Sequence, residues 1–274
     1  MKSVGYLLCA VLLFGLCNAS ASDQKLIALT FDDGPRPYIL FGYNAPGVKP
    51  VPSLLDLLDK NQAKATFFVM GWRLLPNTYG ERHEYRTDKT CLDAAREEFR
   101  RGHEIENHTF SHVQLKQFER TKGEAAAIAD VDRGAQLIKT VTGSQPHYLR
   151  PPDWIMPSDL ERDLQHRGWT VLTISSEMPV ALRDINSLDY LCAGKATQCP
   201  KPSLDASVLK TIEARERKGI TTHIIAFHEL STTVAALEVL LPELRARGYQ
   251  FVTLQEYMNR VRTKPLPATM KGQP

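Results

Sequence analysis

An α/β architecture built on a parallel sheet is what the sequence predicts, on three observations. Short apolar runs rich in β-branched and aromatic residues alternate with longer helical patterns along the whole chain. The residues best suited to chemistry fall at, or just after, the C-terminal ends of those runs, where enzymes of this class keep their sites. The length left after an N-terminal leader, about 253 residues, fits one such domain.

The elements follow in order. A strand over 25–30 opens the domain and leads to a helix over 52–60. A strand over 65–70 precedes a helix over 91–101, with Thr90 as its N-cap and Gly102 past its end. A third strand covers 103–107, and a helix over 123–141 stops at Gly143. Residues 148–149 form a short strand before Arg150, and a helix over 158–167 stops at Gly168. A strand over 170–174 runs through a long connection to a helix over 204–218. A strand over 222–227, a helix over 233–247, a strand over 250–253 and a last helix reaching 262 complete the domain. Such alternation favours parallel strands joined by helical crossovers. The long connections 36–51, 72–89 and 177–203 all follow strands, so all three belong on the face that carries the candidate site.

Thr30-Phe31-Asp32-Asp33-Gly34-Pro35 is the most informative stretch. It sets two carboxylates side by side at the end of an apolar strand and breaks the chain with Gly-Pro. Neighbouring side chains on a strand point to opposite faces, but a turn at its terminus can bring both into one pocket. Two acids this close make sense when one binds a cation and the other stays free as a base; otherwise repulsion raises one of their pKa values. A solvated Asp-Asp-Gly turn is the bland alternative. Downstream, His108 and His112 form a His-x-x-x-His pair. On a helical turn that spacing stacks two imidazoles on one face, and Asp33 would complete a three-ligand set with open positions.

With these motifs the chain resembles the polysaccharide deacetylases, carbohydrate esterase family 4. The resemblance covers about residues 24–262 and also rests on 64–69, Arg150-Pro151-Pro152, 224–228 and 248–254. It implies a distorted (β/α) barrel, a single domain with long loops over the active-site face. It also implies metal-dependent removal of acetyl groups from N-acetylated or O-acetylated sugars. Residue by residue, it makes Asp32 the base and Asp33, His108 and His112 the metal ligands. Arg150 becomes the cation that holds Asp32, and His228 the acid that protonates the leaving amine. The metal would polarise the acetyl carbonyl and activate a water, and a backbone N–H just after Pro152 would serve the oxyanion. His and Asp ligands suit Zn2+, with Co2+, Ni2+ or Mn2+ also able to fill an open site.

Three positions depart from the family pattern. Asp153-Trp154 stands where an aromatic and then a small residue are usual. The Asp-Trp pair that follows the strand near Trp169 is missing, and the segment 174–179 offers Glu177 as a substitute orienter of His228. Glu106 replaces a small residue. A free Asp153 carboxylate beside a developing negative charge would slow the reaction, so it must point away, pair with a cation or join the metal. The long loops carry Tyr38, Phe41, Tyr43, Trp72, Tyr79 and Tyr85. Individually these read as loop packing; as a set, one or two should face a sugar. Loops that roof the site would favour a chain end or short oligosaccharide over a long polymer. His223, His147, His103, His166 and His83 read as structural or solvated.

Residues 1–21 read as a secretory signal: Lys2, an apolar run over 4–16, then Ala19-Ser20-Ala21 as a cleavage site. The apolar run is about 13 residues, too short to cross a bilayer. The mature unit, 22–274, is therefore expected to be secreted or periplasmic, without stable membrane insertion. Losing the signal removes Lys2 and no acid, taking the net charge from +3 to +2. That balance, with no basic stripe, argues against nucleic acid as a partner; an acetylated extracellular or cell-wall glycan is the expected one. Asn107-His108-Thr109 matches a glycosylation sequon but falls inside the proposed metal site. Cys91, Cys192 and Cys199 remain in the mature chain. A Cys192–Cys199 bridge, a bridge from Cys91 to either, and three free thiols are all open. Two rival functions stand beside the deacetylase: a metal-containing carbohydrate-binding protein without turnover, and a hydrolase of another non-peptide amide such as a formamide or cyclic imide.

Overall fold

β1, Leu26–Gly34, is buried almost throughout because it carries apolar residues on both faces, as the central strand of a covered parallel sheet must. The computed structural model describes residues 24–262 apart from 45, 48, 80–87, 174–183 and 194–195. β2 (Ala65–Val69), β3 (Glu104–Asn107), β4 (Tyr148–Leu149) and β5 (Thr170–Val171) extend the sheet on one side of β1. β7 (Thr222–His228) and β6 (Asp184–Asn186) extend it on the other, and β8 (Gln250–Phe251) also pairs with β1. Every pairing in this 5-4-3-2-1-7-6 order is parallel. The curled parallel sheet with its helices is the distorted (β/α) barrel expected from the sequence.

Alternation along β1 divides the core. Ile27, Leu29 and Phe31 join the large cluster under the helices, where Phe31 stacks on Phe67 at 5.1 Å and on Phe227 at 6.0 Å. Leu26 and Ala28 belong to a second cluster with Phe68, Tyr148, Ile224 and Tyr257. Thr30 and Asp32 continue that second face toward the strand's end, where polar chemistry begins.

The helices are α1 (Pro37–Leu40), α2 (Leu54–Lys60), α3 (Cys91–Arg100), α4 (Leu115–Lys122), α5 (Glu124–Thr142), α6 (Ser158–His166), α7 (Leu204–Glu216), α8 (Ser231–Ala246) and α9 (Leu254–Arg262). Thr90 caps α3 as expected: its hydroxyl accepts the Asp93 N–H at 3.0 Å while the Asp93 carboxylate accepts the Thr90 N–H at 3.0 Å. Three elements escape a sequence reading. α4 is charged and buries only Leu115, α1 is a single turn, and β6 has three residues. Residues 1–21, expected to be a signal, lie outside the described residues, among which no helix is long and apolar enough to cross a membrane. Of the cysteine pairings left open, the bridge is Cys192–Cys199, and Cys91 is a buried free thiol.

Candidate active site

The two acids of β1 reach one pocket by a different device from the turn expected. Pairing with β2 runs Asp32↔Phe68 and then Gly34↔Val69, so Asp33 is an extra residue bulged out of the ladder, with φ of 67°. A bulge of this kind re-aims one side chain without ending the strand. Gly34 lets it form: a Cβ there would lie 1.6 Å from Oε1 of the buried Glu229, whose other carboxylate oxygen accepts the Arg36 N–H at 2.6 Å.

The histidine pair does not stand on a helical turn; this corrects the expected local structure. Thr109 and His112 have φ of 66° and 58°, which no α-helix accommodates. Side-chain acceptors take the backbone donors that a helix would have used. Asn107 Oδ1 accepts the Thr109 N–H, one Asp130 oxygen accepts those of Phe110 and Ser111, and Thr109 Oγ1 accepts that of His112. α5 can press against this loop because Gly134 has no Cβ, which would otherwise sit 2.6 Å from Asn107 Oδ1. The imidazoles still meet, with ring centroids 4.8 Å apart.

Asp33 Oδ1 lies 3.0 Å from His112 Nε2 and 3.4 Å from His108 Nε2, and the three candidate ligand atoms fall within 4.8 Å of one another. The chemistry of these donors fits a cation. His108 Nδ1 donates to the Arg150 carbonyl at 2.7 Å, which leaves its Nε2 facing Asp33. Asp33 Oδ1 is buried and accepts no hydrogen bond of good geometry. Lone pairs converging from a carboxylate and imidazoles repel unless a positive charge lies among them. Burial by itself would raise the Asp33 pKa, but the two imidazoles outweigh it and hold the carboxyl far below the usual range. For His112, Asp33 likewise overcomes burial and raises the pKa.

Arg150 holds Asp32 as the resemblance implies. Its Nη1 donates to Asp32 Oδ1 at 2.6 Å and to Thr30 Oγ1 at 2.8 Å, and its fully buried guanidinium lies over the Phe68 ring at 4.2 Å. A buried carboxylate paired in this way has no freedom to turn.

His228 faces Asp32 in register across the β1–β7 pairing. Its orienter is a residue the sequence reading missed. Asp189, fully buried, accepts from His228 Nδ1 at 2.7 Å, from the His228 N–H at 2.6 Å and from Thr233 Oγ1 at 2.6 Å. Burial works against the imidazolium, but the bond and charge of Asp189, helped by Asp32 and Asp33, prevail and push His228 up to about 9. Glu177 lies outside the described residues. The available signal was Asp189-Tyr190, an acid followed by an aromatic, standing later in the chain than the family's Asp-Trp pair. Tyr190 packs edge-on against the His228 ring at 5.6 Å.

A cavity of about 460 Å³ joins these groups, and Pro151, Asp153, Trp154, Asn186 and Tyr190 complete its lining. Among the described residues its lining aromatics beside the histidines are Trp154 and Tyr190, and Tyr38, Phe41, Tyr43, Trp72 and Tyr79, expected on the long loops, do not line it. Tyr38 and Phe41 pack on the core, and Tyr85 lies outside the described residues. Asp153 and Trp154 both take left-handed backbone, with φ of 57° and 55°. The Asp153 carboxylate accepts from Gln114 Nε2 at 3.2 Å and is not part of the ligand cluster. Glu106 is structural, since it accepts the N–H groups of His147 and Tyr148 at 2.9 and 2.7 Å and so fixes the entry to β4. Burial and the charge of Glu104 push its pKa up to about 9 despite those bonds. His103 and His223 are buried, His147 and His166 are exposed, and His83 lies outside the described residues.

The fold defines a class, the distorted (β/α) barrels that gather their polar side chains at the C-terminal ends of the strands. The polysaccharide deacetylase family model matches residues 19–172, more than half the chain, and the chain belongs to that family. It is 28% identical over 238 residues to the peptidoglycan-N-acetylglucosamine deacetylase of Bacillus cereus, covering 86% of this chain and 90% of that one. It is 25% identical over 239 residues to a chitin deacetylase of Colletotrichum lindemuthianum, covering 86% and 80%. The peptidoglycan-N-acetylmuramic acid deacetylase PdaC of Bacillus subtilis is 26% identical over 235 residues, covering 85% of this chain and 39% of the longer relative. The solved structure of PdaC aligns with a TM-score of 0.60 at 22% identity, covering 88% of this chain and 93% of that one, which bears on the fold.

Proposed function

We propose that this protein is an exported, metal-dependent hydrolase that removes acetyl groups from an N-acetylated or O-acetylated carbohydrate. One observation carries the reading: a base fixed by Arg150 and an acid fixed by Asp189 open onto the same cavity as the Asp33-His108-His112 cluster. A divalent cation held by those three residues, Zn2+ above all, would supply Lewis acidity toward a carbonyl oxygen and a water. Asp32 takes the proton as the water oxygen bonds to the acetyl carbon. The Asp153 N–H is the backbone donor this reading assigns to the oxyanion. His228 then gives its Nε2 proton to the departing nitrogen as the C–N bond breaks, leaving acetate and an amine.

Asp189 weakens the case for a binding protein without turnover, because the orienter thought to be missing is supplied. The leader at 1–21 and the Cys192–Cys199 bridge support export to an oxidising compartment. The test is acetate release by the zinc-loaded protein from peptidoglycan, chitin oligomers, poly-N-acetylglucosamine and acetylated xylan. Release from one of them, abolished in Asp32→Asn and His228→Ala, is expected. Formate release or ring opening of other amides in its place would sink the reading.

A further inference from the structure

The cavity's carboxylates are not alike. Asp32 is paired with Arg150, Asp33 belongs to the ligand cluster, and Asp189, behind His228, is paired with it. Asp153 is exposed at the cavity wall, and its bond from Gln114 comes from a neutral amide. Its charge reaches His112, which is already committed to Asp33. Among the described residues no lysine or arginine is paired with the Asp153 carboxylate, and the cation proposed for the same cavity is held by Asp33, His108 and His112.

Exposed apolar side chains lie close to the lining residues in sequence. Val113, Ile155, Leu188 and Tyr190 are 37–46% exposed, and each lies in the cavity wall or within two residues of it in the chain. With Trp154 they suit the apolar faces of pyranose rings, and Asp153 adds a single negative charge to that platform.

We propose that Asp153 sets a charge preference along the glycan: sugars bearing an ammonium group are favoured beside the reacting unit, and sugars bearing a carboxylate are disfavoured. The inference rests on the deacetylase reading and narrows it. The favoured chains are N-acetylglucosamine polymers of the chitin type, including ones already partly deacetylated, whose free amines this reaction creates. Muramic acid units, with their lactyl carboxylate, are the disfavoured class. At about 12 Å and an effective dielectric near 20, one such charge changes affinity about tenfold. Salt suppresses the effect once the Debye length falls to a few ångströms.

The test is calorimetric binding at low ionic strength of two tetrasaccharides to the zinc-loaded protein. One is a chitin tetramer carrying a single glucosamine; the other alternates N-acetylglucosamine and N-acetylmuramic acid. Asp153→Asn is the test variant, since asparagine tolerates left-handed backbone. Glu238→Gln, the same charge change on the exposed surface of α8, is the control. The affinity ratio between the two ligands should fall about a hundredfold in Asp153→Asn, about tenfold from each ligand, stay within about twofold in the control, and collapse for the unaltered protein in ~0.5 M salt. A ratio unmoved by Asp153→Asn, or moved equally by Glu238→Gln, would overturn the proposal. Acetate release measured alongside separates the two layers. A preference that depends on Asp153, without any acetate, leaves the charge selectivity standing and defeats the deacetylase reading alone.

Discussion

Replacing Asp189 by Asn removes the charge that holds the His228 imidazolium while keeping the shape of the side chain. With Asp189 in place the imidazole titrates at about 9. Without that partner it returns toward the unperturbed ~6.5, or lower because it is buried. At pH 8 the protonated fraction then drops from about nine-tenths to about 3%, a loss of about 30-fold in the competent acid. At pH 6 the same change costs far less, under about twofold for a variant pKa of ~6.5, because both forms are then largely protonated. The assay is kcat/KM for acetate release between pH 5.5 and 9.5. The sign follows from the role: a general acid works below its pKa, so the alkaline limb should move from about 9 to about 6.5 or below. A uniform loss at every pH, with the alkaline limb in place, would mean that Asp189 only supports the structure and would refute this reasoning.

Two further outcomes concern the frame of the site. Gly34→Ala drives a Cβ to 1.6 Å from Glu229 Oε1, and that carboxylate is anchored by the Arg36 N–H, so it cannot simply withdraw. A cost above ~3 kcal/mol is expected, seen as a fall in Tm of about 10 °C or as insoluble protein; a change under about 2 °C would contradict the packing. His103 and His223 are held down to about 4, by burial first and then by Lys64 and by Arg215 respectively. The unfolded chain takes up these protons near 6.5, so the stability they confer is complete above that pH and is lost as pH falls toward 4. Each contributes about 2 kcal/mol to the loss between pH 7.5 and pH 5. His223→Gln should remove about that much from the difference in urea unfolding free energy between the two pH values; an unchanged difference would contradict it.

How much of this was legible in the sequence follows from how local each signal is. Asp32, Asp33 and Gly34 are contiguous, and His108 and His112 share one loop, so a short motif carries them. The α/β alternation was legible because most elements, though not α1, α4 or β6, carry their own apolar period and a start or stop signal, as Thr90 does for α3 and Gly143 for α5. The bulge at Asp33 was not, because it is defined against β2 and needs Glu229, 196 positions away, to leave room only for glycine. Asp189 was missed for the same reason. It lies 39 residues before His228 and reaches it only through the β6–β7 pairing, with Thr233 of α8 closing the contact. The histidine loop was misjudged because spacing alone cannot reveal that Asn107 and Asp130 will take its backbone donors. Exposed aromatics gave the weakest guide: of the ones in the cavity, Trp154 sits on the short segment after Arg150 and Tyr190 on the 177–203 connection, and neither lies on the loops richest in rings.

The central claim is that one divalent ion held by Asp33, His108 and His112 turns this cavity into a deacetylase. It is tested most directly by titrating chelator-stripped protein with zinc while following bound metal by calorimetry and acetate release from a chitin oligomer together. The account expects one ion per chain, acetate release rising in step with occupancy, and loss of both in His112→Ala. Acetate release from metal-free protein, or a bound ion that His112→Ala leaves in place, would contradict it.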